Sequence, residues 1–371
     1  MLHRALLLVA LSLASSLTAQ VLFEGLGAAL EQPQLAVRDD GALALVFVQD
    51  RRTIRIAVRP SGGDWGEPRK VCDAPDVAVG MRRGPRVAWS GDVLVVSMIE
   101  SRFDAKARKA LGSGNLLVRR SADGGRRWSK PVRVNGEDGS AREGLHALAA
   151  RGEHVALIWL DPRGDTPGTR LFAAWSSDAG RSFGADAAVH ESPSGSICPC
   201  CHPSLCLDRD GRAVALWRDA IEGDRDMFAG VLDPAGERIT DPAPVGEGHW
   251  KLDACPMDGG GLALDSDDRL MSVWRRDDSV YWSLGRGNER RLGRGSNPSV
   301  AVSGATALAV WQRDESLVAS RLPLDGASTA PEVRVLGAGG YASIAASSGG
   351  RFVVVGERRD GDRCTLVAFE L

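Results

Sequence analysis

Two stretches of this chain spell nearly the same eight-residue word, Ser121-Ala122-Asp123-Gly124-Gly125-Arg126-Arg127-Trp128 and Ser176-Ser177-Asp178-Ala179-Gly180-Arg181-Ser182-Phe183. The pattern suits a hairpin turn. Its Asp accepts hydrogen bonds from turn amides, its Gly takes a backbone angle that other residues avoid, and its aromatic folds back as an apolar plug. Ser121, Asp123, Gly125 and Trp128 in the first copy, with Ser176, Asp178, Gly180 and Phe183 in the second, are therefore expected to be structural.

A strand pair recurs along the chain at a similar period. The copies begin at Gln34 to Val37 with Leu43 to Val48, Pro85 to Ala88 with Val93 to Ile99, and Leu145 to Leu148 with Val155 to Leu160. They continue at Ser204 to Leu207 with Ala213 to Trp217, Gly261 to Leu264 with Leu270 to Trp274, and Ser299 to Val302 with Ala307 to Trp311. Ser343 to Ala345 with Phe352 to Val355 is the last. Each pair is followed by a third strand and usually a fourth. The last copy lacks its fourth strand, and Val21-Leu22-Phe23-Glu24 has no partners of its own. Pairing the two closes a ring and removes exposed strand edges. The expected fold is an all-β propeller of seven short four-stranded blades, closed by the N-terminal strand, with a six-bladed ring as the alternative.

The remaining bulk properties narrow the setting. Met1-Leu2-His3-Arg4, the apolar run Ala5 to Leu13 and the small residues up to Ala19 read as a secretory signal peptide over residues 1–19, followed by one domain over 20–371. Export to a periplasm or the extracellular space is expected. The apolar run is too short to span a bilayer, and no later stretch is long enough. A formal net charge of -2 gives no basic bias for nucleic acid or acidic membranes. A monomer is the expected state.

In a four-stranded blade, the turns carrying the eight-residue words open on one face. The charged clusters fall on the other: Asp50-Arg51, Glu100 with Arg102, Asp161 with Arg163, Arg218-Asp219, Arg275-Arg276-Asp277, Arg313-Asp314 and Glu357-Arg358. They are expected to ring the central mouth. Taken singly they are solvated turn charges of little energetic weight; taken together they suit an anion, because Arg presents a planar fork that matches a carboxylate. The least repetitive segments are loops on this face: Gly80 to Pro85, Ser140 to His146, Ile197 to Pro203 and Gly248 to Pro256. Function is expected there.

Four of seven cysteines fall in Cys198-Pro199-Cys200-Cys201-His202-Pro203-Ser204-Leu205-Cys206, and Cys255 lies in the matching loop of the next copy. In an exported protein the first expectation is a disulfide from Cys198, Cys200 or Cys201 to Cys255. The alternative is a thiolate site for copper or zinc with His202 as a further ligand. No other cofactor is expected. Cys72, Cys206 and Cys364 read as small packing residues.

The eight-residue words, the blades and the leader resemble the sialidase superfamily of Asp-box (BNR) repeat propellers over nearly the whole mature chain. The Cys198-Pro199-Cys200-Cys201, Arg225-Asp226-Met227 and Trp250 to Pro256 segments resemble an exported bacterial subgroup often labelled exo-α-sialidase by similarity. The superfamily resemblance implies a retaining glycosidase in which three Arg hold a sialic acid carboxylate. A Tyr nucleophile is activated by a Glu, and an Asp supplies the proton. The family's Arg-Ile-Pro has no counterpart at Glu31-Gln32-Pro33; the nearest echo is Arg83-Gly84-Pro85. Of two tyrosines, Tyr281 lies inside a third strand and is expected to pack. Tyr341 precedes the last inner strand, with Glu357 after it and Pro298 at the equivalent position of the sixth copy.

The catalytic candidates are thus Tyr341, Glu143, Asp226 and Glu357. Those for binding an acidic sugar or glycan are Arg83, Arg142, His146, Asp161, Arg163, Arg218, Asp219, Arg225, Trp250 and Asp253. A propeller that binds a glycan or a protein without catalysis, and one that binds metal through thiolates, are the alternatives.

Overall fold

The computed structural model describes residues 19–104, 109–232, 238–325, 332–347 and 350–371. The expected leader therefore lies outside the described residues, except for Ala19. Seven four-stranded antiparallel sheets follow one another in chain order. The first blade comprises Leu30–Val37, Leu43–Gln49, Thr53–Arg59 and Arg69–Asp73. The seventh comprises Gly340–Ser347, Arg351–Asp360 and Arg363–Glu370, and is completed by Gln20–Leu22 from the other end of the chain. The ring closes as expected, two residues shorter at its far end: Val21 pairs with Val367, but Phe23 turns away with a φ of 56°. The second blade carries one addition, a two-stranded hairpin of Arg102–Asp104 and Lys109–Leu111.

The alternating strands bury one face against the preceding blade and the other against the following one. Seven hydrophobic clusters result, each at one junction between neighbouring blades. Leu22, Val355 and Leu366 of the seventh blade meet Leu30, Leu45 and Phe47 of the first, so apolar burial as well as backbone pairing holds the ring shut.

Both eight-residue words fold as expected. Asp123 Oδ1 accepts from the amides of Arg126 and Arg127 at 3.0 and 2.9 Å, and the Ser121 hydroxyl donates to it at 2.9 Å. Asp178 repeats this with the amides of Arg181 and Ser182 at 2.9 Å and the Ser176 hydroxyl at 2.7 Å. Gly125 and Gly180 take φ values of 81° and 76°. A Cβ on Gly125 would lie 3.3 Å from Ile56 of the preceding blade, and one on Gly180 3.4 Å from Val95. These glycines let each turn lie against its neighbour. Trp128 and Phe183 then cap two of the junction cores.

Three inner strands begin with the same irregularity. The ladder skips two residues between Glu31 and Gln34, between Ser296 and Ser299, and between Gly340 and Ser343. Gln32, Asn297 and Tyr341 stand at the bulge with φ values of 58°, 53° and 49°. The structural counterpart of Tyr341 is therefore Asn297, not Pro298, because Ser296 and Ser299 bracket the sixth-blade bulge as Gly340 and Ser343 bracket the seventh. Left-handed backbone at three non-glycine residues is strained, and it collects at the mouth of the channel.

Candidate functional site

The inner strands line a channel that is built differently at its two ends. Leu35, Leu148, Leu205, Val300 and Ile344 form a waist shared by two cavities. The wider one, about 630 Å³, opens toward the Asp-box turns. Its walls are mostly Leu, Val and Ala, and at its rim Arg209 pairs with Asp268 at 2.9 Å while Asp265 holds Arg269 at 2.7 Å.

The other cavity, about 210 Å³, lies under the mouth. Arg82, Arg86, Gln34, His202, Ser204, Ser299 and Ser343 supply its polar lining. Arg82 comes from the loop before the second blade and crosses the channel, donating to the carbonyls of Ala342 at 2.8 Å and Asn297 at 2.6 Å. Its Nε has no hydrogen-bond partner among the described residues. Arg86 lies beneath, donating to the carbonyls of Gly84 and Pro85 at 3.2 Å and to that of Arg82. No ion pair links either guanidinium to a carboxylate among the described residues. Burial pushes the Arg86 pKa down to about 9, which leaves it charged at neutral pH.

Gly84 makes this crossing feasible. Its φ is +99°, and a Cβ there would sit 2.6 Å from the Cβ of Gln32. Only glycine lets the loop lie against the first blade.

Around Arg82 stand three acidic groups. Asp258 is 1% exposed, accepts the Asn297 amide at 2.8 Å, and has a second oxygen without a partner. Burial raises its pKa despite that bond and the nearby guanidiniums of Arg218 and Arg82. Glu357 accepts both the Gln32 amide, at 2.7 Å, and its side chain, at 3.1 Å; burial raises its pKa as well. The Tyr341 phenol is pushed up by burial and then by the Glu357 carboxylate. Glu357 thus lies near enough to act on the Tyr341 phenol as a charge.

Much of the expected Arg and Asp ring is not at the mouth. Asp161 is fully buried, accepting from Trp159 Nε1 at 2.9 Å and Arg163 Nε at 3.0 Å; Arg163 reaches on to Asp186 and lies over the Phe172 ring. Asp219 faces inward to His190 at 2.8 Å and Trp217 at 3.3 Å. Arg218, also buried, donates to the carbonyls of Asp258, Arg225 and Arg275 and lies over Trp250, which is itself 5% exposed. His146 is buried with Nε2 2.9 Å from the Ser97 hydroxyl, and burial drops its pKa far enough to keep it neutral. These groups sit at strand ends, where the protein uses them to satisfy its own backbone and indoles.

The remaining candidates lie on loops of the mouth face. Arg83 donates to the Glu143 carbonyl at 2.9 Å, and burial raises the Glu143 pKa against the pull of Arg83 and Arg142. Arg142 is exposed, as is Asp253. Asp226 accepts the Trp250 amide at 2.9 Å and meets His249 Nδ1 at 2.6 Å. Arg225 donates to the Leu252 carbonyl at 3.3 Å. Tyr281 packs on Trp274, as expected, with ring centroids 6.3 Å apart.

The expected disulfide to Cys255 is not formed in the structure, where all seven cysteines are unbonded. Cys198 Sγ lies 3.6 Å from Cys200 Sγ and 3.5 Å from Cys201 Sγ, far beyond the roughly 2.05 Å of an S–S bond. Cys255 stays exposed at the edge of the group. His202 points elsewhere, its Nδ1 accepting the Gly259 amide at 3.2 Å.

Arg82, Arg86, Asp258 and Met257 were not singled out by sequence reasoning. The visible signals were modest: Arg82 stands in an irregular loop, and Asp258 follows Cys255-Pro256-Met257.

No family model and no curated protein matches the chain. Among solved structures it is similar to the BP39L lectin from Burkholderia pseudomallei, with a TM-score of 0.60 at 14% identity over 92% of this chain and 96% of that one. It is also similar to a Dyadobacter fermentans protein of unknown function, with a TM-score of 0.58 at 15% identity over 95% and 97% of the two chains. For a Penicillium chrysogenum α-L-arabinanase complexed with arabinobiose, the TM-score is 0.53 at 13% identity over 92% and 93%. At these identities the likeness establishes the propeller fold and nothing finer.

Proposed function

We propose that this is an exported binding propeller whose mouth takes an acidic sugar or the acidic end of a glycan. One observation carries the reading: Arg86, 9% exposed and with no acidic group acting on it, lines a polar cavity beneath the mouth beside Arg82, whose acidic neighbours Asp258 and Glu357 form no ion pair with it among the described residues. A buried charge without a counter-charge is costly, and a ligand carboxylate entering beside it supplies the missing partner. At about 210 Å³ the cavity is below the roughly 300–1,000 Å³ of drug-sized sites, a scale that suits one sugar unit. Ser204, Ser299, Ser343 and Gln34 provide the neutral polar lining that hydroxyl groups need.

Hydrolysis is the second reading, favoured by Tyr341 beside Glu357. It is the weaker one, because among the arginines that the sialidase resemblance would use to clamp a carboxylate Arg163 is already paired with Asp161 and Asp186.

The test is a calorimetric titration of the mature protein with sialic acid, a uronic acid and their neutral counterparts, beside a fluorogenic glycoside panel. Binding of acidic sugars without turnover supports the first reading. Turnover of an α-sialoside that Tyr341→Phe abolishes supports the second, and no binding of any sugar removes both.

A further inference from the structure

The four irregular loops of the mouth face converge on a place that the sugar reading does not use. Arg83 of the first and Glu143 of the second lie near Cys200 of the third, as does Cys255 of the fourth, and Met257 just beyond that loop packs on the same thiols. Cys198, Cys200 and Cys201 are 1%, 7% and 2% exposed, with their sulfurs all within 4.8 Å of one another. Met257 packs against them from a strained backbone with φ 56°.

We propose that Cys198, Cys200 and Cys201 form a binding site for monovalent copper, with Met257 as a thioether neighbour and Cys255 at its outer edge. Size is the first argument. Three sulfurs ~4 Å apart place an ion at their centre ~2.3 Å from each, the usual metal–thiolate length. The observed separations of 3.5 and 3.6 Å need only a slight opening.

Ligand chemistry is the second. Thiolate and thioether donors select soft ions, copper(I) foremost. A structural zinc site needs a fourth strong ligand. His202 does not offer one through Nδ1, which the Gly259 amide occupies. The soft groups beside the triad are the Met257 thioether packed on it and, next to Cys200, the solvent-exposed Cys255 thiol.

Preorganisation and charge are the third. Pro199 and Pro203 stiffen the loop, the Cys198 amide donates to the Arg218 carbonyl at 3.0 Å, and the Ile197 amide donates to the Thr169 carbonyl at 2.9 Å. Each thiol that ligates releases its proton to water, so a monovalent ion on three thiolates leaves the cluster anionic. Positive charge already surrounds it: Arg218 acts on Cys198 and Cys201, Arg83 on Cys200, and Arg225 on Cys255.

The experiment titrates the full mature chain, reduced and anaerobic, with copper(I) buffered by a chromogenic chelator. One ion per chain is expected, with affinity reduced at least about 100-fold in Cys200→Ser and unchanged in Cys72→Ser. A second measurement needs no variant. Copper loading of the native protein is expected to protect Cys198, Cys200 and Cys201 from alkylation, read by peptide mass, and to leave Cys72 as reactive as before. Absence of copper uptake, uptake unaffected by Cys200→Ser, a disulfide that persists among the three under these conditions, or zinc that copper(I) does not displace would each overturn the proposal.

Discussion

Arg82, from the loop that leads into the second blade, spans the channel mouth and donates a 2.8 Å hydrogen bond to the carbonyl of Ala342 in the seventh blade. Its second terminal nitrogen ties Asn297 of the sixth. One side chain thus joins three blades at the axis. Arg82→Ala strands two buried carbonyls and removes one of the guanidiniums near Asp258. A loss of about 3 kcal/mol is expected in urea unfolding.

Gly84 sets the path of that loop. Gly84→Ala places a methyl 2.6 Å from the Gln32 Cβ at a φ of +99°. Destabilisation of about 2 kcal/mol is expected, measured by denaturant midpoint, with the slope unchanged.

Closure by the N-terminal strand rests on Leu22, which is 2% exposed among core residues of the seventh and first blades. Leu22→Ala should cost about 2–4 kcal/mol. Hydrogen exchange is expected to show the loss first at Arg363–Glu370, the strand that Gln20–Leu22 covers.

The acidic groups at the mouth give a pH signature with a definite sign. Asp258 has a raised folded-state pKa, with burial as the main cause. Above the unfolded value near 3.9 the unfolded chain releases this proton while the native chain holds it, so stability falls as pH rises toward the folded value. Asp258→Asn removes that contribution. Its stability relative to the wild type is expected to be higher at pH 7 than at pH 3.5, by chemical denaturation at the two values. An equal difference at both would refute the assignment.

The blades and Asp-box turns were legible in the sequence because each repeats a local rule: alternation buries strand faces, and Ser, Asp and Gly satisfy their own turn. Tyr341 and Glu357 were legible for the same reason, since both stand at recognisable ends of the last strand pair. Asp161, Arg218 and Asp219 are buried rather than solvated, because sequence shows that a charge ends a strand but not which way it turns. A nearby indole or a bare carbonyl decided that. Arg82 and Asp258 were missed because their partners lie more than 200 and about 40 residues away, joined only once the ring closes. The cysteines of one loop stand together as their spacing suggested, and no disulfide joins them. A prior based on compartment favoured a disulfide, whereas the loop holds three sulfurs at non-bonded separations.

The most direct measurement is a calorimetric titration with an acidic monosaccharide of the wild type, Arg86→Gln and Arg209→Ala. The last variant lies at the rim of the wider cavity on the opposite face. Binding should fall at least about 10-fold in Arg86→Gln, the loss of one charge-assisted contact, and be unchanged in Arg209→Ala. Binding that survives Arg86→Gln but is lost in Arg209→Ala would place the ligand at the other end of the channel and contradict the account.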